Sequence, residues 1–519
     1  MSKFYGGEAL AQAVERAYAS GQTDYSLEPL VLEDENGKAV GKIKDGDHVI
    51  FCCRRGEREI ELTEAFTDPA FKHFPREYMK NLEFVIMTMY HEKFKDLPIA
   101  FAPERVQRPL AQVISEAGLR QFHCSESEKF AHVTFFFNGG YNQPFPGEKD
   151  VCIPSPKGIP FDQKPELSLP AVAEKVKEAA DEGYDFIVTN FANGDVIGHT
   201  QNTQAKLVAA SVISKYVDEV AHYAKDKGYI VAVTADHGNI EALYTKDGKP
   251  HGAHTTNLVP FIILDPLGRE IKLRDGRLGD VAPTVLDILG LKKPEAMSGS
   301  SLLETECLKG NKMMLIILDG WGFGTHDEGD GIFMADTPGW DALLADYPNS
   351  KLRASGEDVG LKDGKTGNSE AGHNNLGAGR IVAQDDVRMD SAIKDGSFKT
   401  NPVFLHAVEG ARKDGSALHL LAYLTEKSSH GCIDYPLMIT EMAEGVDNVY
   451  LHIIFDGRST EPGSAPAMLR DLDKKLESIG RGVVVDGIGR GIALDRDGNY
   501  AKIEKAYREM VYGDGTRYR

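Results

Sequence analysis

Long apolar runs are missing from this sequence. No stretch approaches the ~20 consecutive apolar residues that a membrane-spanning helix needs, and the opening MSKFYGGEALAQAVERAYASG lacks the apolar core of a secretory signal. The expectation is a cytoplasmic protein with no membrane partner. Cysteine is scarce. Six in 519 residues, with Cys52 and Cys53 adjacent and Cys124, Cys152, Cys307 and Cys432 scattered, exclude a disulfide framework and fit a reducing cytosol. Positive charge is in deficit: 59 Lys and Arg against 79 Asp and Glu leave a net charge of −20, and no basic stretch offsets it. A nucleic-acid partner is therefore not expected, whereas a small anionic substrate needs only a local cluster of Arg and Lys. Internal repeats and low-complexity segments are also absent.

What is present is an alternation of short β-branched or apolar runs with helical stretches, the pattern of an α/β protein too long for one ordinary core. Strands are expected at 49–53, 84–88, 133–137, 186–189, 230–234, 261–264, 313–318, 418–421 and 449–454, and helices at 169–182, 203–226, 281–289 and 465–478. The third of these helices has Pro283 in its first turn and Gly290 just past its end, the usual punctuation.

Several strands run directly into potential metal ligands. Residues 313–318 lead into Asp319-Gly320-Trp321-Gly322, 230–234 into Asp236-His237-Gly238-Asn239, and 186–189 toward Asn193, Asp195 and His199. In open α/β sheets ligands bind at the carboxyl ends of strands. Asp195 and His199, four apart, share one face of a helical turn and can hold one ion. A surface Asp–His pair is the ordinary alternative for them taken alone. Asp236-His237 offers consecutive ligands at a strand end, and His251 and His254 add imidazoles nearby. Carboxylates mixed with imidazoles, and no thiolates, suit Mn²⁺, Zn²⁺, Co²⁺ or Fe²⁺ at a reactive site better than structural zinc. Two such ions can stabilise both the attacking and the leaving oxygen of a phosphoryl transfer.

The run Thr366-Gly367-Asn368-Ser369-Glu370-Ala371-Gly372-His373 reads as a glycine-flanked turn exposing a serine nucleophile, activated by metal instead of a histidine base. The start of a capped helix is the other reading. A basic group follows other strand ends: Arg54, Arg55 and Arg58, then Arg458 in DGR, then Arg490 and Arg496 in GRGIALDR. Guanidinium forks suit phosphate and carboxylate, while a solvated charged face explains any single one. Cys52 and Cys53 are read as small buried residues.

By these residues the sequence resembles the cofactor-independent phosphoglycerate mutases. LIILDGWG, GNSEAGHNNLGAGR, EKFAHVTFFFNGG, PFPGE, IPSPK, NFANGDVIGHT, TADHGN, HGAHTTN and DVAPTVLDILGL all look like that family, over almost the entire chain. Several belong to the wider alkaline-phosphatase and sulfatase superfamily; GNSEAGH and FFFNGG are specific to the mutases. The resemblance implies an alkaline-phosphatase-like three-layer α/β/α domain and a second α/β transferase domain. It implies a glycolytic and gluconeogenic isomerase interconverting 3- and 2-phosphoglycerate through a phosphoserine. Two divalent metal ions are implied, Mn²⁺ first and Zn²⁺, Co²⁺ or Mg²⁺ as alternatives, with no bisphosphoglycerate and a monomeric chain. Ser369 matches the nucleophile and Lys129 the lysine that neutralises the transferring group. Asp319, Ser369, Asp236 and His237 resemble the ligands of one ion, and Asp195, His199 and His254 those of the other. His430, Arg458, Arg490, Arg496, Arg55 and Arg58 match the substrate clamp. Such chemistry needs water excluded while the phosphoserine lives, a task for domain closure.

The order of the blocks differs from the family's. Here the family's closing block comes first, to about 303, and its opening block starts at about 312, so 305–311 reads as the join of a circular permutation. The phosphatase-like domain becomes continuous at 104–382, and the transferase domain is split between 1–103 and 383–519. Two departures fall in the latter: Ser459 stands where DGRD would place an aspartate, and Ser428-Ser429-His430-Gly431-Cys432 keeps one histidine of GVHSH. A serine cannot carry charge near neutral pH. A metal-dependent phosphatase, or a mutase for another phosphorylated acid, is the alternative reading.

Overall fold

The computed structural model describes residues 4–54, 58–304, 311–426, 428 and 430–519. Arg55 and all but the last residue of the expected join at 305–311 lie outside the described residues. The chain divides into two compact units, Met1–Pro103 with Arg388–Arg519, and Glu104–Val387. Each is a sheet with helices packed on it, so the α/β class holds.

In the continuous unit the strand order is Gly276–Arg277, Asn349–Arg353, Val259–Leu264, Ile230–Thr234, Met313–Leu318, Phe186–Phe191, Gln121–Glu126, Glu148–Ile153. Only Val259–Leu264 runs antiparallel to its neighbours; the rest are parallel. Met313–Leu318 is central, and all six of its residues are buried, as expected of a parallel strand covered on both faces. Because Gln121–Glu126, Phe186–Phe191, Met313–Leu318 and Ile230–Thr234 are parallel, their carboxyl ends share one edge.

The expected strand at 133–137 is a correction: those residues form a helical turn, His132–Phe136, after the strand Gln121–Glu126. The run HVTFFF has strand propensity, yet Val133 and Phe137, four apart, are both buried, and burial on one helical face overrides propensity.

In the split unit the order is Thr516–Tyr518, Leu30–Leu32, Val483–Gly489, Val449–Phe455, Leu418–Leu424, His48–Phe51, Glu83–Thr88, Ile99–Phe101. Side chains alternate between two cores. Ile50, Cys52, Leu420 and Ala422 face one, and Phe51, Cys53, Leu421 and Tyr423 face the other. Both thiols are thus small buried residues on opposite faces, and burial drives their pKa values up.

Candidate metal and phosphoryl site

At the shared edge of the continuous unit, Asp319 follows the central strand, and Asp236 and His237 follow Ile230–Thr234. Asp195 lies in the short helix Asn193–Gly198, with His199 capping its end. Gly320 has φ 73, and a Cβ there would lie 2.7 Å from Asp195 N, so glycine lets the two ligand loops touch. The helix Ser369–Ala378 is capped by Asn368, whose side chain accepts from Ala371 N at 2.8 Å. Both readings of the turn therefore hold in part. Asn368 does the capping, which leaves the Ser369 hydroxyl for other partners. The helix seats closely: a Cβ at Gly372 would lie 2.7 Å from Asp236 O, and one at Gly377 1.8 Å from Phe137 O.

Ser369 Oγ lies 2.6 Å from Lys129 Nζ, 3.0 Å from His237 Nε2 and 3.1 Å from Asp319 Oδ1. Lys129 Nζ also donates to Asp195 Oδ2 at 2.6 Å and Asp319 Oδ1 at 2.9 Å. Burial disfavours the Lys129 ammonium, but Asp319, Asp195 and Asp236 outweigh it and hold it charged. Burial likewise opposes the His237 imidazolium, and Asp236, Asp319 and Asp195 nonetheless push it up to about 9. Asp319 stays ionised despite burial because Lys129 and His237 face it.

The donor set fits divalent metal. His199 Nε2 and His254 Nε2 converge on Asp195 Oδ1 at 3.2 and 2.9 Å and stand 3.0 Å from each other. Their Nδ1–H groups donate to backbone carbonyls, His199 to Gly252 O at 2.9 Å and His254 to Gly367 O at 2.8 Å. In the neutral rings each Nε2 presents a lone pair toward the other and toward the carboxylate, an arrangement a divalent cation would satisfy; without one, Asp195 favours the protonated form of His199. A ring N–H on a carbonyl is also how metal-ligating histidines are usually held. His237 has the same arrangement, Nδ1 to Gly238 O at 3.2 Å. Asp236 Oδ2 is buried with no hydrogen-bond partner, a further free lone pair. Two donor clusters result: Asp195, His237 and His254, and Asp236, Asp319 and His373.

Sequence reasoning passed over three supporting residues. Asn190 Nδ2 donates to Asp319 Oδ2 at 2.7 Å and to His373 Nε2 at 3.0 Å. His373 Nδ1 donates to Ser369 O at 2.9 Å and faces Asp236 Oδ2 at 3.2 Å. With Nδ1–H on Ser369 O and Nε2 accepting from Asn190, His373 braces the first turn of the Ser369 helix and has no lone pair left for an ion. Asn239 Nδ2 donates to Asp195 Oδ1 at 2.9 Å. His373 sits in the serine motif itself, but only its hydrogen bonds reveal the role.

Lys129→Met is expected to destabilise the metal-free protein by about 3–5 kcal/mol, since buried carboxylates would lose their cation. Urea unfolding in chelator would check this; the loss should shrink when metal is supplied, and an unchanged midpoint would contradict the assignment.

The split unit gathers the arginines at its own parallel strand ends. Arg490 is buried, and its Nη1 donates to Asp456 Oδ1 at 2.6 Å, as does Tyr423 OH at 2.6 Å. Arg58, also buried, donates to Leu494 O at 3.0 Å. His430 Nδ1 faces Glu59 Oε1 at 3.4 Å. Arg458 is exposed, over the Tyr25 ring at 5.4 Å, and Arg496 is exposed beyond the short helix Arg490–Ala493. The structure thus brings Arg58, Arg490 and His430 to this edge as buried or half-buried groups, while Arg458 and Arg496 project to solvent. Arg54 donates to Tyr435 OH at 2.6 Å and Ser428 O at 2.7 Å, and its amide to His430 O at 2.8 Å, which braces the chain carrying His430. Ser459 Oγ lies 3.4 Å from Ser428 Oγ.

A family model for the metalloenzyme superfamily matches residues 61–293, and one for the BPG-independent PGAM N-terminus matches residues 3–92 and 389–519. Similar curated proteins are 2,3-bisphosphoglycerate-independent phosphoglycerate mutases. That of Moorella thermoacetica is 43% identical over 294 residues, 56% of this chain and 57% of the relative. That of Salinibacter ruber is 44% identical over 299 residues, 57% of each chain. That of Syntrophotalea carbinolica is 45% identical over 300 residues, 57% of this chain and 58% of the relative. The chain therefore spans a little over half the length of the curated relatives it matches. A solved Leishmania mexicana phosphoglycerate mutase is 30% identical over 52% of this chain and 53% of its own, with a TM-score of 0.41, too low to bear on the fold.

Proposed function

We propose, from the premise that the chain belongs to the cofactor-independent phosphoglycerate mutases, that it interconverts 3- and 2-phosphoglycerate through a phosphoserine at Ser369. The observation that carries this is the position of Ser369 Oγ, at a helix N-terminus and within 3.1 Å of Lys129, His237 and Asp319. Asp319, Ser369, Asp236 and His237 would hold one divalent ion and Asp195, His199 and His254 a second, with Mn²⁺ the first candidate. Bound there, the ions supply Lewis-acid stabilisation of phosphoryl oxygens and lower the serine pKa. The chain's own groups do the rest. Ser369 Oγ attacks phosphorus, and the Lys129 ammonium and the helix N-terminus offset charge on the transferring oxygens. Arg58, Arg458, Arg490, Arg496, Arg55 and His430 would grip phosphate and carboxylate while the glycerate turns, after which its other hydroxyl recovers the group. No bisphosphoglycerate is required.

A permuted order is part of the same reading. The model named for the mutase N-terminus matches the two ends of this chain. The alignment covers similar shares of two chains of about equal length, 56% of this chain and 57% of the relative, which is compatible with a rotated order. The domain limits 104–382 and 1–103 with 383–519 belong to this reading too. So does a monomer working in the cytoplasm; among the described residues no helix is long and apolar enough to cross a membrane.

Phosphorus NMR of 3-phosphoglycerate with enzyme and Mn²⁺, quenched with chelator and free of bisphosphoglycerate, tests the proposal. A 2-phosphoglycerate signal without free phosphate is expected. Free phosphate alone would convert the reading to a phosphatase, which Ser459 in place of an aspartate favours.

A further inference from the structure

Glu59 stands out in the split unit because the proposed chemistry leaves it without a task. It precedes the helix Ile60–Thr67, and its side chain is wholly inaccessible. Oε1 lies 3.4 Å from His430 Nδ1, while Oε2 is buried without a hydrogen-bond partner. A buried carboxylate with half its capacity unspent is costly and needs a reason. The groups facing it are Cys53, Tyr90, Arg490 and His430. Burial keeps the Cys53 thiol protonated, Tyr90 OH is engaged with Thr63, and Arg490, with Nη1 on Asp456 and Nε buried without a partner, acts on Glu59 only through its charge and makes no hydrogen bond to it. His430 is thus the neighbour whose state Glu59 can set. His430 is half-buried, and among the described residues only its Nδ1 has a side-chain partner.

We propose that Glu59 is a positioning residue, holding His430 as the tautomer with Nδ1–H on the carboxylate and Nε2 open to exchange the substrate hydroxyl proton. This rests on the mutase reading and fills the acid/base vacancy left by Ser459. His430 Nε2 takes the proton of a glycerate hydroxyl held at this edge as that O–H bond breaks, and returns it to the same oxygen in the reverse direction, while the Glu59 carboxylate offsets the imidazolium. A carboxylate on one ring nitrogen is a recurring way to fix the other as a base.

Two readouts test this on the full-length metal-loaded protein. In Glu59→Gln, ¹H–¹⁵N NMR of His430 should show a changed tautomer mixture, with the Nδ1–H form losing its dominance. The kcat should fall about 100-fold with KM changed less than about threefold, and Glu59→Asp should recover part of the loss. In a His430→Gln background, Glu59→Gln should cost almost nothing more, a comparison between folded variants. An unchanged His430 tautomer ratio in Glu59→Gln, or an undiminished further loss in His430→Gln, would overturn the assignment. If the wild-type protein released only phosphate, the mutase reading would fail, while the NMR arm would still decide the Glu59–His430 pairing.

Discussion

Ser369→Ala should stop turnover while leaving the fold intact. The hydroxyl is the only group lost, and every partner it leaves keeps another: Lys129 retains Asp195 and Asp319, and His237 retains its carboxylates. The residue is 6% exposed and opens a helix whose cap belongs to Asn368, so alanine costs nothing in capping and gains slightly in helix propensity. Stability should therefore move by less than about 1 kcal/mol. Activity should fall by about 10⁴-fold or more, since removing a covalent nucleophile removes the pathway itself. A thermal melt and the phosphorus NMR assay separate the two effects. A variant that melts like the wild type yet keeps more than a few per cent of the rate would reject Ser369 as nucleophile.

Metal removal should have the second-largest effect, and it should show in stability as well as rate. Buried oxygens of Asp195, Asp236 and Asp319 crowd one edge, with His199 and His254 adding opposed lone pairs. Lys129 and a charged His237 neutralise only part of that density. Ions that bind the folded state alone stabilise it by about 2.7 kcal/mol at a hundredfold excess over Kd, an increase in Tm of about 5–10 °C for a unit of this size. Exhaustive chelation should abolish turnover and lower Tm, and Mn²⁺ should restore both. Asp195→Asn should blunt the metal-induced rise in Tm. Full activity in protein shown to be metal-free would remove the two-ion reading.

The placement of acidic residues and a histidine at strand ends was legible in the sequence for a local reason. An apolar run followed at once by Asp-Gly or Asp-His announces both a buried strand and a polar group at its carboxyl end. Asp319, Asp236 and His237 meet in space because their strands are parallel neighbours, which the runs suggest without specifying. The strand Gln121–Glu126 escaped notice because Gln121, His123, Ser125 and Glu126 are polar yet buried. Each is paid for by a distant partner: Gln121 by Ala111 O, His123 by Val133 O, Ser125 by Asn190 O, Glu126 by Ser155. Such partners carry no periodic signal. His373, Asn190 and Asn239 were hidden for the same reason, and Glu59 reads in sequence as one more charge at a helix start.

Gly372 and Gly377 give the nucleophile's helix a consequence beyond fit. At Gly377 the helix rests main chain to main chain on Phe137, and at Gly372 it lies against the Asp236 carbonyl and Cβ, so no flexible side-chain end stands between to absorb displacement. Ser369 is therefore indexed to the same backbone that carries Asp236, much as a gauge block is wrung onto its reference plane. Errors in the surrounding core are not transmitted into the distance between Ser369 and Asp236, but an added methyl at the seat is transmitted in full. Since a displacement of about 1 Å can cost a hundredfold in rate where geometry governs a reaction, the tolerance of the proposed site to sequence drift would be set at these two glycines.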